Sequence, residues 1–237
     1  MSSYLQLSQK VCLECGVAGG DSVPTAVTGQ TGELDRVCNW VADAWTEIQN
    51  KHLTWKWMRY GFTFNTVADD DTYAYGDVTD TTTSSAITRL GRWWADDEDD
   101  PPKIYLTSSG VGTQAYLCYL PWDQFKALYR IGTQNSGTPA HISVDPQNNL
   151  VLGPKPNGIF TVTGDYQRSA QTLSADADEP EMPARFHKLP VYRAMEDYGF
   201  YESAPEVLAR GQRKGAAMMR QLEADQLPPP KMPPPLC

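Results

Sequence analysis

The apolar residues of this chain change period twice, and that switch limits the fold more than any other feature. Leu34, Val37, Cys38, Val41, Trp45 and Ile48 recur at three- and four-residue spacing, which places them on one stripe of a helix that has to be buried. Thr31 is expected to cap that helix and Glu33 to sit in its first turn, where the helix dipole favours an acid. Leu5, Val11, Cys12 and Cys15 predict a shorter helix before it, ending at Gly16, and an antiparallel pair is the simplest arrangement of the two. From about Gly61 the period falls to two: Phe62–Val67 and Ile159–Tyr166 alternate as half-buried strands do. Between them, 103–106, 115–120, 141–144 and 150–152 read as short strands, with turns at 145–149 and 156–158 and a short helix over 121–128. The late connections are too short for parallel crossovers, so antiparallel pairing is expected.

Helical spacing returns after Met182. Phe186, Leu189, Ala194, Tyr198 and Tyr201 mark one helix, delayed or bent by Pro190, and Ser203-Ala-Pro-Glu206 reads as the capping box of a second one running through Met218, Met219 and Leu222. Leu227-Pro-Pro-Pro230 stops it, and the remaining Pro-rich segment favours an extended tail. The expected class is therefore α+β: an antiparallel helical bundle from the N- and C-terminal segments, with an antiparallel β-rich region inserted. The boundaries are 1–60, 61–181, 182–226 and 227–237. Residues 68–101, with Asp69–Asp71, a Thr/Ser run, Trp93-Trp94 and Asp96–Asp100, read as a long exposed acidic loop, a length usually functional or ordered by a partner.

Charge follows the same division. Residues 1–60 carry five basic and six acidic groups, 61–181 seven and seventeen, and 182–237 eight and six. An acidic middle argues against wrapping nucleic acid, which needs Lys and Arg to displace counterions. The N-terminus lacks the basic and apolar regions of a secretory signal, and no apolar run approaches a membrane span, so a cytoplasmic site of synthesis is expected. The five cysteines read as free thiols; Cys12-Leu-Glu-Cys15 is a C-x-x-C without a second half.

Catalytic motifs are absent from the sequence: there is no G-x-S-x-G, P-loop, G-x-G-x-x-G or H-E-x-x-H, and His52, His141 and His187 are scattered. No cofactor, catalytic residue or metal ligand is assigned. Asp96–Asp100 lacks the spacing of a calcium loop and reads as a solvated run. The seven tryptophans are more informative, because Trp and Tyr are enriched where proteins bury interfaces. Trp45 belongs to the core stripe. Trp40 lies off it, as an interface residue or a second layer of the same core. Trp93-Trp94 either pins its loop to its own domain or offers a partner pocket or a sugar-stacking surface.

Tyr4-Leu-Gln-Leu7, Glu14-Cys-Gly16, Gly29–Leu34, Trp40-Val41, Ala44-Trp45, Ile48-Gln49 and Trp57-Met-Arg59, followed by Met182–His187 and Tyr198–Leu208, resemble the head-to-tail adaptor (head-completion, connector) proteins of tailed bacteriophages. Tail tubular protein A of short-tailed phages is more distantly similar. The resemblance implies a non-enzymatic structural subunit of the virion, made in the host cytoplasm and located at the head-tail junction. It implies a homo-oligomeric ring, commonly twelvefold, beneath the portal protein, continuing the channel through which DNA passes without sequence-specific binding. The strand-rich region then faces the next tail or neck component, and no membrane is involved. With that partner in view, the basic C-terminal third becomes the expected grip on the portal, through Arg210, Arg213, Lys214, Met218, Met219, Arg220 and Lys231, leaving Trp40, Trp93 and Trp94 for subunit or tail contacts. A virion-associated peptidoglycan hydrolase and a carbohydrate-binding tail component are the alternatives.

Overall fold

The computed structural model describes residues 2–17 and 23–228. Among the described residues there are five α-helices: α1 (Tyr4–Cys15), α2 (Glu33–Asn50), α3 (Trp122–Tyr129), α4 (Leu189–Tyr201) and α5 (Pro205–Gln226). Two compact units divide the chain, one formed by the segments up to Trp57 and from Ala170 onward, the other by Met58–Ser169.

In the helical unit, α4 contacts α1, α2 and α5, and α1 contacts α2. Ser3 and Gln6 close a capping box on α1, and Gly16 ends it in the left-handed region at φ 74°, donating to the Cys12 carbonyl. The buried stripe of α1 is Tyr4, Leu7, Ser8, Val11 and Cys12. Leu5 and Cys15, expected on it, are only half-buried. The stripe passes instead through Tyr4, whose ring is buried while its hydroxyl donates to the Cys38 carbonyl at 2.8 Å. On α2 the expected positions Val37, Cys38, Val41, Trp45 and Ile48 are buried, and Leu34 is half-buried. Thr31 does not cap this helix: the N-cap is Gly32, at φ 65°, which turns the chain one residue later and leaves Glu33 and Asp35 to face the free N–H groups. Trp45 is fully buried, and its Nε1–H donates to the Gln171 side chain at 3.1 Å.

A 3-10 turn at Ala184–Phe186 precedes α4, and Pro190 falls in the first turn of α4, where its missing N–H has no helical partner to lose. The capping box expected at Ser203 does not form. The α4–α5 connection is so short that Ser203 is used at φ 52° to reverse the chain, and Ala204 becomes an N-cap without a side-chain bond. Close packing of α4 on α5 rests on glycine. A Cβ at Gly199 would meet Leu208 backbone and side-chain atoms at 2.8–2.9 Å, and one at Gly211 would meet the Tyr192 carbonyl at 2.8 Å.

The second unit holds eleven strands: β1 (Arg59–Asn65), β2 (Thr72–Tyr73), β3 (Thr79–Asp80), β4 (Ser85–Ala86), β5 (Arg92–Trp93), β6 (Lys103–Leu106), β7 (Ala115–Tyr116), β8 (Cys118–Tyr119), β9 (His141–Val144), β10 (Leu150–Gly153) and β11 (Phe160–Gln167). One sheet runs β4-β3-β1-β11-β6-β7, with β5 also on β11; the other runs β2-β10-β9-β8. The long β1–β11 pair is antiparallel from Arg59↔Gln167 to Asn65↔Thr161. One pair, β8 with β9, is parallel, because the connection between them is long enough to carry α3. Phe62, Phe64, Trp93, Ile104, Ile142, Leu152, Val162 and Tyr166 belong to a single core cluster.

The long exposed loop expected over 68–101 is folded onto this core. It supplies β2 to β5 and a 3-10 turn at Tyr75–Asp77, and it buries Tyr73, Val78, Ile87, Trp93 and Ala95. Single apolar residues separated by polar runs anchor it, a pattern that carries no readable period. Its acids are largely engaged: Asp71 with Arg130, Asp96 with Arg92, Asp97 with Arg59 and Asp100 with Lys103. Asp80 is buried, accepting from Tyr166 and Arg168 at 2.6 Å and from the Thr82 and Thr83 N–H groups. Burial pushes its carboxyl up, but those donors overcome burial and hold it at about 2.

Candidate assembly surfaces

The C-terminal residues expected to act together are sorted by α5 into four environments. Arg210 is ion-paired to Glu14 of α1, which Lys10 also approaches at 3.1 Å. Burial pushes the Glu14 carboxyl up, yet the Lys10 and Arg210 charges leave it below its ordinary value. Lys214 lies over the Tyr192 ring at 5.6 Å. Met219 is buried and Met218 half-buried, so they do not form the exposed apolar surface expected of them. Both fall near the stripe of Gly211, Gly215 and Leu222 that faces inward. Arg213 and Arg220 remain, exposed and without an ion pair to any described residue. Lys231 and the end of the Pro-rich tail lie outside the described residues.

The last turn of α5 is fastened at several points. Glu223 accepts Lys51 Nζ at 2.8 Å and the His52 ring at 2.9 Å. Hydrogen bonds from Lys51 and His52 hold its carboxyl below the ordinary range. Asp225 pairs with Arg185, and Lys56 donates to the Asp225 carbonyl at 3.3 Å. The backbone then leaves the helix at Leu227 in an extended conformation, φ −94° and ψ 149°.

Trp40 is half-buried on α2, with its ring edge-on to Tyr198 at 6.3 Å and tilted against Tyr201 at 5.7 Å. It therefore forms a partly exposed second layer on α4. Arg36 covers the same patch, donating to the Tyr201 hydroxyl and lying 4.4 Å from its ring centre. Trp93 is 3% exposed, stacked edge-on against Phe62 at 5.0 Å, with its Nε1–H donating to the Asn148 carbonyl at 2.8 Å. Its ring is consumed by its own core and presents no face for a sugar or a partner. Trp94 is half-buried, with the Arg59 and Arg92 guanidinium carbons at 5.0 and 4.9 Å from its ring. In the same unit, exposed Leu106, Val111, Tyr116 and Ile159 surround the β6–β7 region, where a cavity of about 440 Å³ is lined by Ile104, Leu106, Ala115, Pro139 and Phe160, among others.

The C-x-x-C lies within α1. Burial pushes the Cys12 thiol up to about 11 and the Cys15 thiol up to about 12, which disfavours the thiolate that redox or metal chemistry needs.

Sequence reasoning missed the glycine contacts and the clamp on α5. Gly211 and Gly215, four residues apart in a helical segment, were a readable sign of close helix approach. The clamp had no local signal, since Lys51, His52 and Arg185 are distant in sequence from Glu223 and Asp225.

Comparison with known proteins bears on what these surfaces are for. The family model described as SU10 adaptor protein matches residues 2–232, and the chain belongs to that family. No curated protein matches it.

Proposed function

We propose that this member of the SU10 adaptor protein family is a structural, non-catalytic subunit of a phage virion that assembles as a ring under the portal, continues the DNA channel and receives the tail. The observation that carries this reading is the family match over nearly the whole chain, both structural units included. The ring is commonly twelvefold in proteins of this kind, and we take the chain to be monomeric until a portal is present. The portal contact is assigned to the C-terminal region, at the end of α5 and the segment beyond it, with Lys231 among its residues. Support comes from the clamp of Lys51, His52, Lys56 and Arg185, which holds the last turn of α5. Tail docking is assigned to the strand-rich unit, which exposes the apolar side chains of Leu106, Val111, Tyr116 and Ile159.

A chain ending at Gln226 should keep its fold and bind portal-containing heads about tenfold or more weakly. Heads assembled without the chain should show a bare portal vertex by electron microscopy, and added chain should fill it. A vertex unchanged by the addition would overturn the reading.

A further inference from the structure

The helical unit carries two uncompensated faces of opposite sign. On the outer side of α5, away from the buried Gly211 and Gly215, Arg213 and Arg220 are exposed, and neither pairs with a described residue. They are seven residues apart, about 10 Å along the axis, and Ala217 and Ala224 lie exposed beside them, too small to hold a neighbouring helix away. On α2 and α4, Asp43, Glu47 and Asp197 are exposed, and no ion pair to a described residue neutralises any of them. They are close enough to feel one another: the Asp197 carboxyl is pushed above its ordinary value by partial desolvation first and then by Glu47, with Glu196 and Asp43 adding to it and Arg193 opposing. Glu196 itself is held by Arg193 at 3.2 Å. Like charges crowded on one face, with cations unused on another helix of the same unit, cost free energy in a lone subunit that a neighbour of matching charge removes.

We infer that the α5 face bearing Arg213 and Arg220 docks on the α2–α4 face bearing Asp43, Glu47 and Asp197 of a second copy of this chain. The occupant is fixed by charge complementarity: each copy holds both halves of the contact, on different helices. Two different faces meeting head to tail form a heterologous contact, which repeats from subunit to subunit and closes only as a ring. The inference rests on the ring reading above and deepens it by naming the surfaces between subunits. It separates Arg213 and Arg220 from the portal contact, which is left to the end of α5 and beyond.

Charge reversal tests it, with portal rings as template and bound copies per portal counted by mass measurement. Arg213→Glu with Arg220→Glu should reduce bound copies at least tenfold, and Asp43→Lys with Glu47→Lys should do the same. All four changes in one chain should restore occupancy to within about twofold of wild type, because the two faces again match. The neutral variant Arg213→Gln with Arg220→Gln should fall between, with added salt weakening wild type more than the neutral variant. All four substituted positions are exposed, so the melting temperature should not move, and a melt beside each binding assay checks this. Reversed variants that bind at wild-type occupancy, or a fourfold variant that fails to recover, would overturn the inference while leaving the ring reading in place. Wild-type chain that binds no portal at all would overturn both.

Discussion

The two units of this protein reach stability by different means, and the contrast explains which parts of it sequence periodicity reveals. The helical unit is held by an apolar stripe on each helix and by glycines that let α4 and α5 touch backbone to side chain. The strand-rich unit is held by an aromatic core into which single residues from a polar segment are plugged, and by a buried carboxylate network at Asp80. A repeated pattern writes the first into the sequence. Nothing periodic announces the second.

The largest effects should come from deleting the central tryptophan of each unit. Trp45→Ala should destabilise the helical unit by about 3–5 kcal/mol, the usual cost of removing a large aromatic from a core. Trp93→Ala should cost the strand-rich unit about as much, because the ring is buried and its N–H is bonded. Thermal and denaturant unfolding of each variant measures both. A Trp93→Ala variant that melts like wild type would restore the exposed-loop reading of 68–101 and erase half of the comparison.

Asp80 gives the strand-rich unit a pH dependence that comes from a buried carboxylate. Its folded-state value, about 2, lies below the ordinary carboxyl value, so it contributes stability above about pH 4 that is lost as pH falls through 2. The loss should amount to about 2 kcal/mol. Asp80→Asn should flatten that acid limb in equilibrium unfolding between pH 5 and pH 2, and an unchanged limb would remove Asp80 from the account.

Two glycines of α5 should respond in opposite directions. Gly211→Ala places a methyl 2.8 Å from the Tyr192 carbonyl, a backbone atom that cannot step aside, and should destabilise by about 1–2 kcal/mol after the gain in helix propensity is counted. Gly215→Ala meets only the movable Glu196 carboxylate at 3.2 Å and the Tyr192 Cβ at 3.5 Å, so the propensity gain of about 0.5–1 kcal/mol should prevail. Identical shifts for both would show that α4 and α5 are not in backbone contact. At the small end, Trp40→Ala should cost about 1 kcal/mol, since the ring is half-buried and its partners are Tyr198 and Tyr201 alone among the aromatic rings.

The stripe of α2 was legible because six apolar positions repeat at one spacing. The strands at 103–106 and 141–144 were legible because β-branched and aromatic residues sit between turn residues. Caps were less so: Thr31 and Ser203 satisfy the local rule for an N-cap, but the turns on either side needed those residues for something else. The segment 68–101 was misjudged because Val78, Ile87 and Trp93 are isolated in sequence and only the β1–β11 pair, with strands ninety-odd residues apart in the chain, gives them a surface to occupy. The basic residues of α5 were expected to act as a group, but which of them are free is decided by Glu14 and Tyr192, which belong to other helices.

The most direct test of the functional account is electron microscopy of purified chain mixed with isolated portal rings, with symmetry determined from the images. The account predicts that chain alone remains monomeric and that portal rings acquire a closed, symmetric tier of copies whose lumen continues the portal channel. Copies scattered singly on the portal, or an extra density that closes the channel instead of extending it, would contradict it.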